Sequence, residues 1–125
     1  MHKSILNLNF IKEDLKSKVK NNDKIKIIAV SKTFPIDEIS PLIEHGHTDY
    51  GENKVQEAIN KWTDIKLKYP KVKLHLIGKL QTNKVKFAVK LFDYIHSVDN
   101  EKLAKKIAEE DQKIKKKTKI FLQIN

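Results

Sequence analysis

Residues 25–32 read Ile25-Lys26-Ile27-Ile28-Ala29-Val30-Ser31-Lys32, and this stretch decides the fold. It is short, apolar and rich in β-branched residues, the composition of a strand buried on both faces. Such a strand belongs to a parallel sheet covered by helices, with Ser31 and Lys32 at its C-terminal end. Just upstream, Asn21, Asn22 and Asp23 form a polar break. Before them, Ile5, Leu8, Ile11, Leu15 and Val19 recur at steps of three or four, which predicts an amphipathic helix over residues 3–20.

Downstream, the same unit repeats. Pro35 opens a helix with Asp37 and Glu38 in its first turn and Gly46 at its end, while Pro41 should break or kink it, with Ser40 as a fresh cap. A short strand is expected over residues 47–51, then a helix carrying Val55, Ala58, Ile59, Trp62 and Ile65 on one face and ending before Pro70. A third strand covers residues 72–77 and closes at Gly78. Thr82 or Asn83 should cap a helix bearing Val85, Ala88, Val89 and Phe92. Tyr94 to Val98 is a fourth strand, and Asp99 or Asn100 caps a helix with Leu103, Ala104, Ile107 and Ala108. Ile120, Phe121, Leu122 and Ile124 form a fifth strand. The strand ends near Val30, Gly51, Ile77, Val98 and Ile124 are 21, 26, 21 and 26 residues apart. Strand–helix units of that length predict a parallel α/β fold with no domain boundary inside it. Both a doubly wound open sheet and the start of a (β/α)8 barrel fit.

Composition narrows the function. At 125 residues the chain suits one domain, and its lack of cysteine excludes disulfides and Cys-based zinc sites. No apolar run reaches the roughly 18 residues of a membrane helix, and the Lys-rich start lacks the apolar block of a signal peptide, so a cytoplasmic location is expected. The net charge is +10, yet every one of the 26 basic residues is lysine. Arginine is the preferred reader of guanine edges and the bidentate clamp for phosphate, so its absence weakens a sequence-specific nucleic-acid reading. A Lys-biased solvated surface accounts for the charge.

In either architecture, chemistry gathers at the C-terminal strand ends. Those ends read Ser31-Lys32, Gly51-Glu52-Asn53, Gly78, Ser97-Val98-Asp99 and Gln123-Ile124-Asn125. Lys32 stands out, because a lysine at the mouth of a buried strand is partly shielded from water, which favours the neutral amine that attacks an aldehyde. The chain has no G-x-G-x-x-G and no P-loop signature, against dinucleotide and P-loop nucleotide binding. None of its histidines has metal-site spacing. His75, alternating with Leu74 and Leu76, reads either as a hydrogen-bonded core histidine or as a residue pointing into a site. Glu52 and Glu57, five apart, are no evident acid/base pair.

Five segments then carry a resemblance. Ile28-Ala29-Val30-Ser31-Lys32, Tyr50-Gly51-Glu52-Asn53 running into Val55-Gln56-Glu57, His75-Leu76-Ile77-Gly78 with Leu80-Gln81 and Asn83-Lys84, His96-Ser97-Val98-Asp99 and Gln123-Ile124-Asn125 are similar, in order and spacing, to the motifs of the pyridoxal 5′-phosphate (PLP) homeostasis proteins, the YggS/PROSC family. The resemblance implies the alanine racemase N-terminal fold, a (β/α)8 TIM-type barrel, with residues 1–125 as one incomplete barrel domain supplying five strands. It implies a cytoplasmic protein, monomeric at full length, that holds PLP as a Schiff base on Lys32 without catalytic turnover. Asn53, His75 and Asn125 would neighbour the cofactor, and PLP-dependent apoenzymes would be partners. No specific nucleic acid, membrane or metal is implied. The barrel's phosphate site would lie beyond these strands, and the inward residues Ile28, Val30, Leu76 and Ile124 would lack the neighbours that fill the centre. Pro41 departs from the family's unbroken helix. A fold-type-III PLP enzyme such as an amino-acid racemase is the alternative reading, and a basic nucleic-acid-binding module is the alternative of another class.

Overall fold

The structure, a computed structural model, describes residues 2–21 and 24–124. Helix α1 (Lys3–Lys18) precedes four strand–helix repeats and a fifth strand: β1 (Ala29–Val30), α2 (Ile36–Glu44), β2 (Asp49–Glu52), α3 (Val55–Lys68), β3 (Lys73–Leu76), α4 (Val85–Leu91), β4 (Tyr94–Val98), α5 (Glu101–Lys113) and β5 (Lys119–Leu122). The strands pair in parallel in the order β1-β2-β3-β4-β5. A doubly wound sheet reverses its strand order at a switch point, and this sheet does not. Sequential order with right-handed crossovers keeps every helix on one face, the arrangement of a barrel wall.

Register assigns the two faces. Ala29 pairs with Tyr50, Tyr50 with Leu74, and Leu76 with Ile95, so these side chains share the helix-covered face. There Tyr50, Leu74, Leu76 and Ile95 are fully buried with Trp62 of α3 and with Val85 and Val89 of α4. The opposite face carries Val30, Gly51, His75 and Tyr94. Helices α2, α3, α4 and α5 pack their buried residues on the other side, so this is the face that lines the inside of a barrel.

Several expectations are corrected here. Leu76 belongs to the helix side rather than the inside, because it shares parity with Leu74 and Glu52. The first strand is confined to Ala29–Val30, the two residues that pair with Tyr50 and Gly51 of β2. Pro41 neither breaks α2 nor starts a new cap. The helix runs through it, and the Ser40 hydroxyl donates back to the Ile36 carbonyl at 2.8 Å, while Pro35 occupies the N-cap. A 3-10 turn at Thr82–Lys84 leads into α4 without a side-chain cap from Thr82 or Asn83. Along α1 only Leu8 is buried, and Ile11 is exposed. Of the two cap candidates before α5, Asn100 accepts from the Leu103 amide at 2.8 Å.

Candidate functional site: the C-terminal strand ends

At the end of β1 every polar atom of Ser31 is engaged. Its amide donates to the Gly51 carbonyl at 2.9 Å, extending the ladder by one residue. Its hydroxyl donates to Glu52 Oε2, and its carbonyl accepts from Lys61 Nζ of α3. Lys61 Nζ also lies 3.0 Å from Glu52 Oε2, which takes a further bond from Trp62 Nε1 at 3.1 Å. Glu52 is completely buried because strand parity turns it to the helix side with Tyr50. Its Oε1 has no hydrogen-bond partner among the described residues. A buried ion pair thus clamps the strand end immediately before Lys32.

Lys32 opens a tight turn closed by the Phe34 amide on the Ser31 carbonyl at 3.2 Å. Thr33, next in the turn, has φ +68°, a left-handed conformation that a β-branched residue rarely adopts. Lys32 itself is exposed, so the shielding expected from its place at a strand mouth is not supplied by the described residues. The position is fixed from behind, while the amine is open in front.

Asn53 and Gly78 form the next part of the rim. A Cβ on Gly78 would stand 2.2 Å from the Asn53 carbonyl oxygen and 2.3 Å from Asn53 Oδ1, so only glycine allows the end of β2 to lie across the end of β3. The Ser97 hydroxyl donates to the Gly78 carbonyl at 2.7 Å and ties in β4.

His75 lies deeper, in mid-strand on the inner face, and is 2% exposed. Nε2 is 2.7 Å from Asp49 Oδ2 and Nδ1 is 2.9 Å from His96 Nε2, so both ring nitrogens are engaged. Burial alone would raise the Asp49 carboxyl, but hydrogen bonds from His75 and Thr48, with the charge of Lys26, hold it below the usual carboxylate range. Asn125 lies outside the described residues. Sequence reading missed the Glu52–Lys61–Trp62 cluster. Its only signal was parity, which sends Glu52 to the side where α3 packs. It also missed that His75 and His96 meet, which their equal parity on neighbouring strands could have indicated.

A one-sided parallel wall with an exposed lysine after its first strand defines the class: part of a β/α barrel whose C-terminal rim presents an amine. The chain belongs to the alanine racemase N-terminal domain family, whose model matches residues 7–125. It is 39% identical over 124 residues to a pyridoxal phosphate homeostasis protein of Buchnera aphidicola subsp. Schizaphis graminum, covering 96% of this chain and 54% of that protein. It is 33% identical over 123 residues to one of Haemophilus influenzae, covering 95% and 52%. The solved structure of PipY from Synechococcus elongatus, with PLP bound, superposes with a TM-score of 0.80 at 37% identity, over 90% of this chain and 52% of that one. The chain therefore spans about half the length of these relatives.

Proposed function

We propose that this chain supplies the lysine-bearing part of a barrel that binds PLP and serves its homeostasis, with the cofactor held as a Schiff base on Lys32. The observation that carries the proposal is the Ser31–Glu52–Lys61 clamp, which fixes the strand end that presents an exposed lysine. The PLP seen in PipY and the names of the curated relatives support the same reading. Bound PLP supplies an aldehyde, which captures a primary amine reversibly. The residues present fit that end of the cofactor. The Lys32 amine adds to the aldehyde carbon, water leaves, and the fixed turn keeps the amine in place. Asn53 would border the cofactor at the rim. His75 and Asn125 would be further neighbours of the cofactor. The phosphate end is left to barrel strands beyond this chain.

In this reading residues 1–125 are one incomplete barrel domain. The full-length protein is a cytoplasmic monomer that delivers PLP to PLP-dependent apoenzymes, with no specific nucleic acid and no membrane among its partners. Among the described residues no helix is long and apolar enough to cross a membrane. In this reading the protein holds PLP without turning over amino acids: racemisation needs a positioned acid or base on each reacting face, and Lys32 is the one amine to which the reading gives such a place. Incubating PLP-loaded full-length protein with L-amino acids and following their chirality tests this. Unchanged chirality is expected, and racemisation at an enzyme-like rate would replace the binding reading with the racemase reading.

A further inference from the structure

Asp49, His75 and His96 come from three successive strands and form a line on the inner face that PLP capture by Lys32 does not use. Tyr94 stacks on His75 with 4.2 Å between centroids and 2° between planes, and Phe121 stacks on His96 at 4.5 Å. Both imidazoles are therefore held in orientation.

The donor pattern follows from the chemistry of each group. An ionised carboxylate only accepts, so His75 Nε2 carries a hydrogen. In the neutral form of His75 the lone pair is then at Nδ1, and His96 Nε2 is the donor to it. Burial above all, and any positive charge on His75 after it, lower the proton affinity of His96, which favours its neutral form. Neutral His96 with hydrogen on Nε2 has its lone pair at Nδ1.

We propose that His96 is a proton acceptor on the inner face, its Nδ1 lone pair set by Asp49 through His75 and available to an acidic hydroxyl of a bound ligand. The step balances within the line. The hydroxyl proton bonds to His96 Nδ1, and the ligand oxygen keeps the electron pair. The His96 Nε2 proton passes to His75 Nδ1, and the positive charge settles on His75 beside the Asp49 carboxylate. Other titratable groups face the line. Lys26 Nζ is 4.0 Å from Asp49 Oδ2 and 3.2 Å from the Tyr94 hydroxyl, Lys119 Nζ lies over the Tyr94 ring at 5.4 Å, and His47 Nε2 meets the Asp49 carbonyl at 2.8 Å. The two lysines oppose a second positive charge, so the line takes one proton. The identity of the ligand hydroxyl rests on the PLP reading, whereas the tautomers do not.

Nitrogen-15 NMR of histidine-labelled protein carrying the complete barrel tests both parts, with His75→Gln and His96→Gln for assignment. Without ligand, His75 and His96 are expected to bear hydrogen on Nε2 alone at neutral pH, and Lys32→Ala should leave this unchanged. Asp49→Asn should lower the proton affinity of His96 by about tenfold, the smaller end of what loss of an opposite charge produces. Adding PLP should move the His96 Nδ1 resonance. Hydrogen on His75 Nδ1, or a His96 titration indifferent to Asp49→Asn, would overturn the relay. Should Asp49→Asn fail to fold, the wild-type tautomers decide alone. A His96 resonance indifferent to PLP that demonstrably binds would overturn the acceptor role, while absence of PLP binding with the tautomers intact would count against the PLP reading instead.

Discussion

Glu52 is the residue on which the rim turns. A completely buried carboxylate is tolerable because Lys61, Ser31 and Trp62 all point hydrogens at one of its oxygens. Removing one partner of such a pair leaves an uncompensated buried charge, which costs about 3–5 kcal/mol. Lys61→Met should lower stability by that order, read as a shift in the denaturant midpoint of Trp62 fluorescence. Converting Glu52→Gln in the same chain should restore much of it. If Lys61→Met alone is neutral, the clamp contributes nothing. None of this was visible as a motif. The five-residue spacing of Glu52 and Glu57 pairs neither with the other, and the true partner of Glu52 lies on the following helix, at a distance that only packing defines.

The elements show why some features were legible and others were not. Runs such as Tyr94–Val98 carry their own period, and the strand appears where the sequence places it. The ends of β1 and the course of α2 depend on partners instead. Ile25–Ile28 has strand composition yet lies outside the ladder, because pairing is a property of two segments. Pro41 stays in helix because the packing of Ile39 and Ile43 against the core outweighs one lost hydrogen bond. Gly78 belongs to this scale too, since it sets how closely two strand ends approach. Gly78→Ala must displace Asn53 backbone, and overpacking of this kind typically costs about 1–3 kcal/mol. Thermal melting should show that loss, and an unchanged melting temperature would mean that Asn53 does not cross β3 as described.

For the molecule as a whole, the face left bare by the helices governs behaviour. On it Val30 is 50% and Phe121 51% exposed, on the two strands that lack an outer neighbour among the described residues. Open parallel edges beside apolar surface favour association. Light scattering should therefore find oligomers of the 125-residue chain and a monomer once the polypeptide extends to eight strands. A monodisperse short chain would contradict this. Acid should weaken the fold in two stages. Burial first of all lowers both His47 and His96 from their ordinary 6.5, so below that pH the unfolded chain binds more protons and stability falls as pH drops. Asp49, held below its ordinary 3.8, adds a second loss as pH falls further. Denaturation midpoints across pH should decline in that order, and a flat profile from neutrality to pH 4 would be the contrary result. The central claim, that this wall exists to present Lys32 to PLP, has a direct measurement. Full-barrel protein is loaded with PLP and reduced with borohydride, and the labelled peptides are mapped by mass. The account predicts one pyridoxyl group, on Lys32, and its loss in Lys32→Ala. Label scattered over the 26 lysines, or retained unchanged in Lys32→Ala, would contradict it.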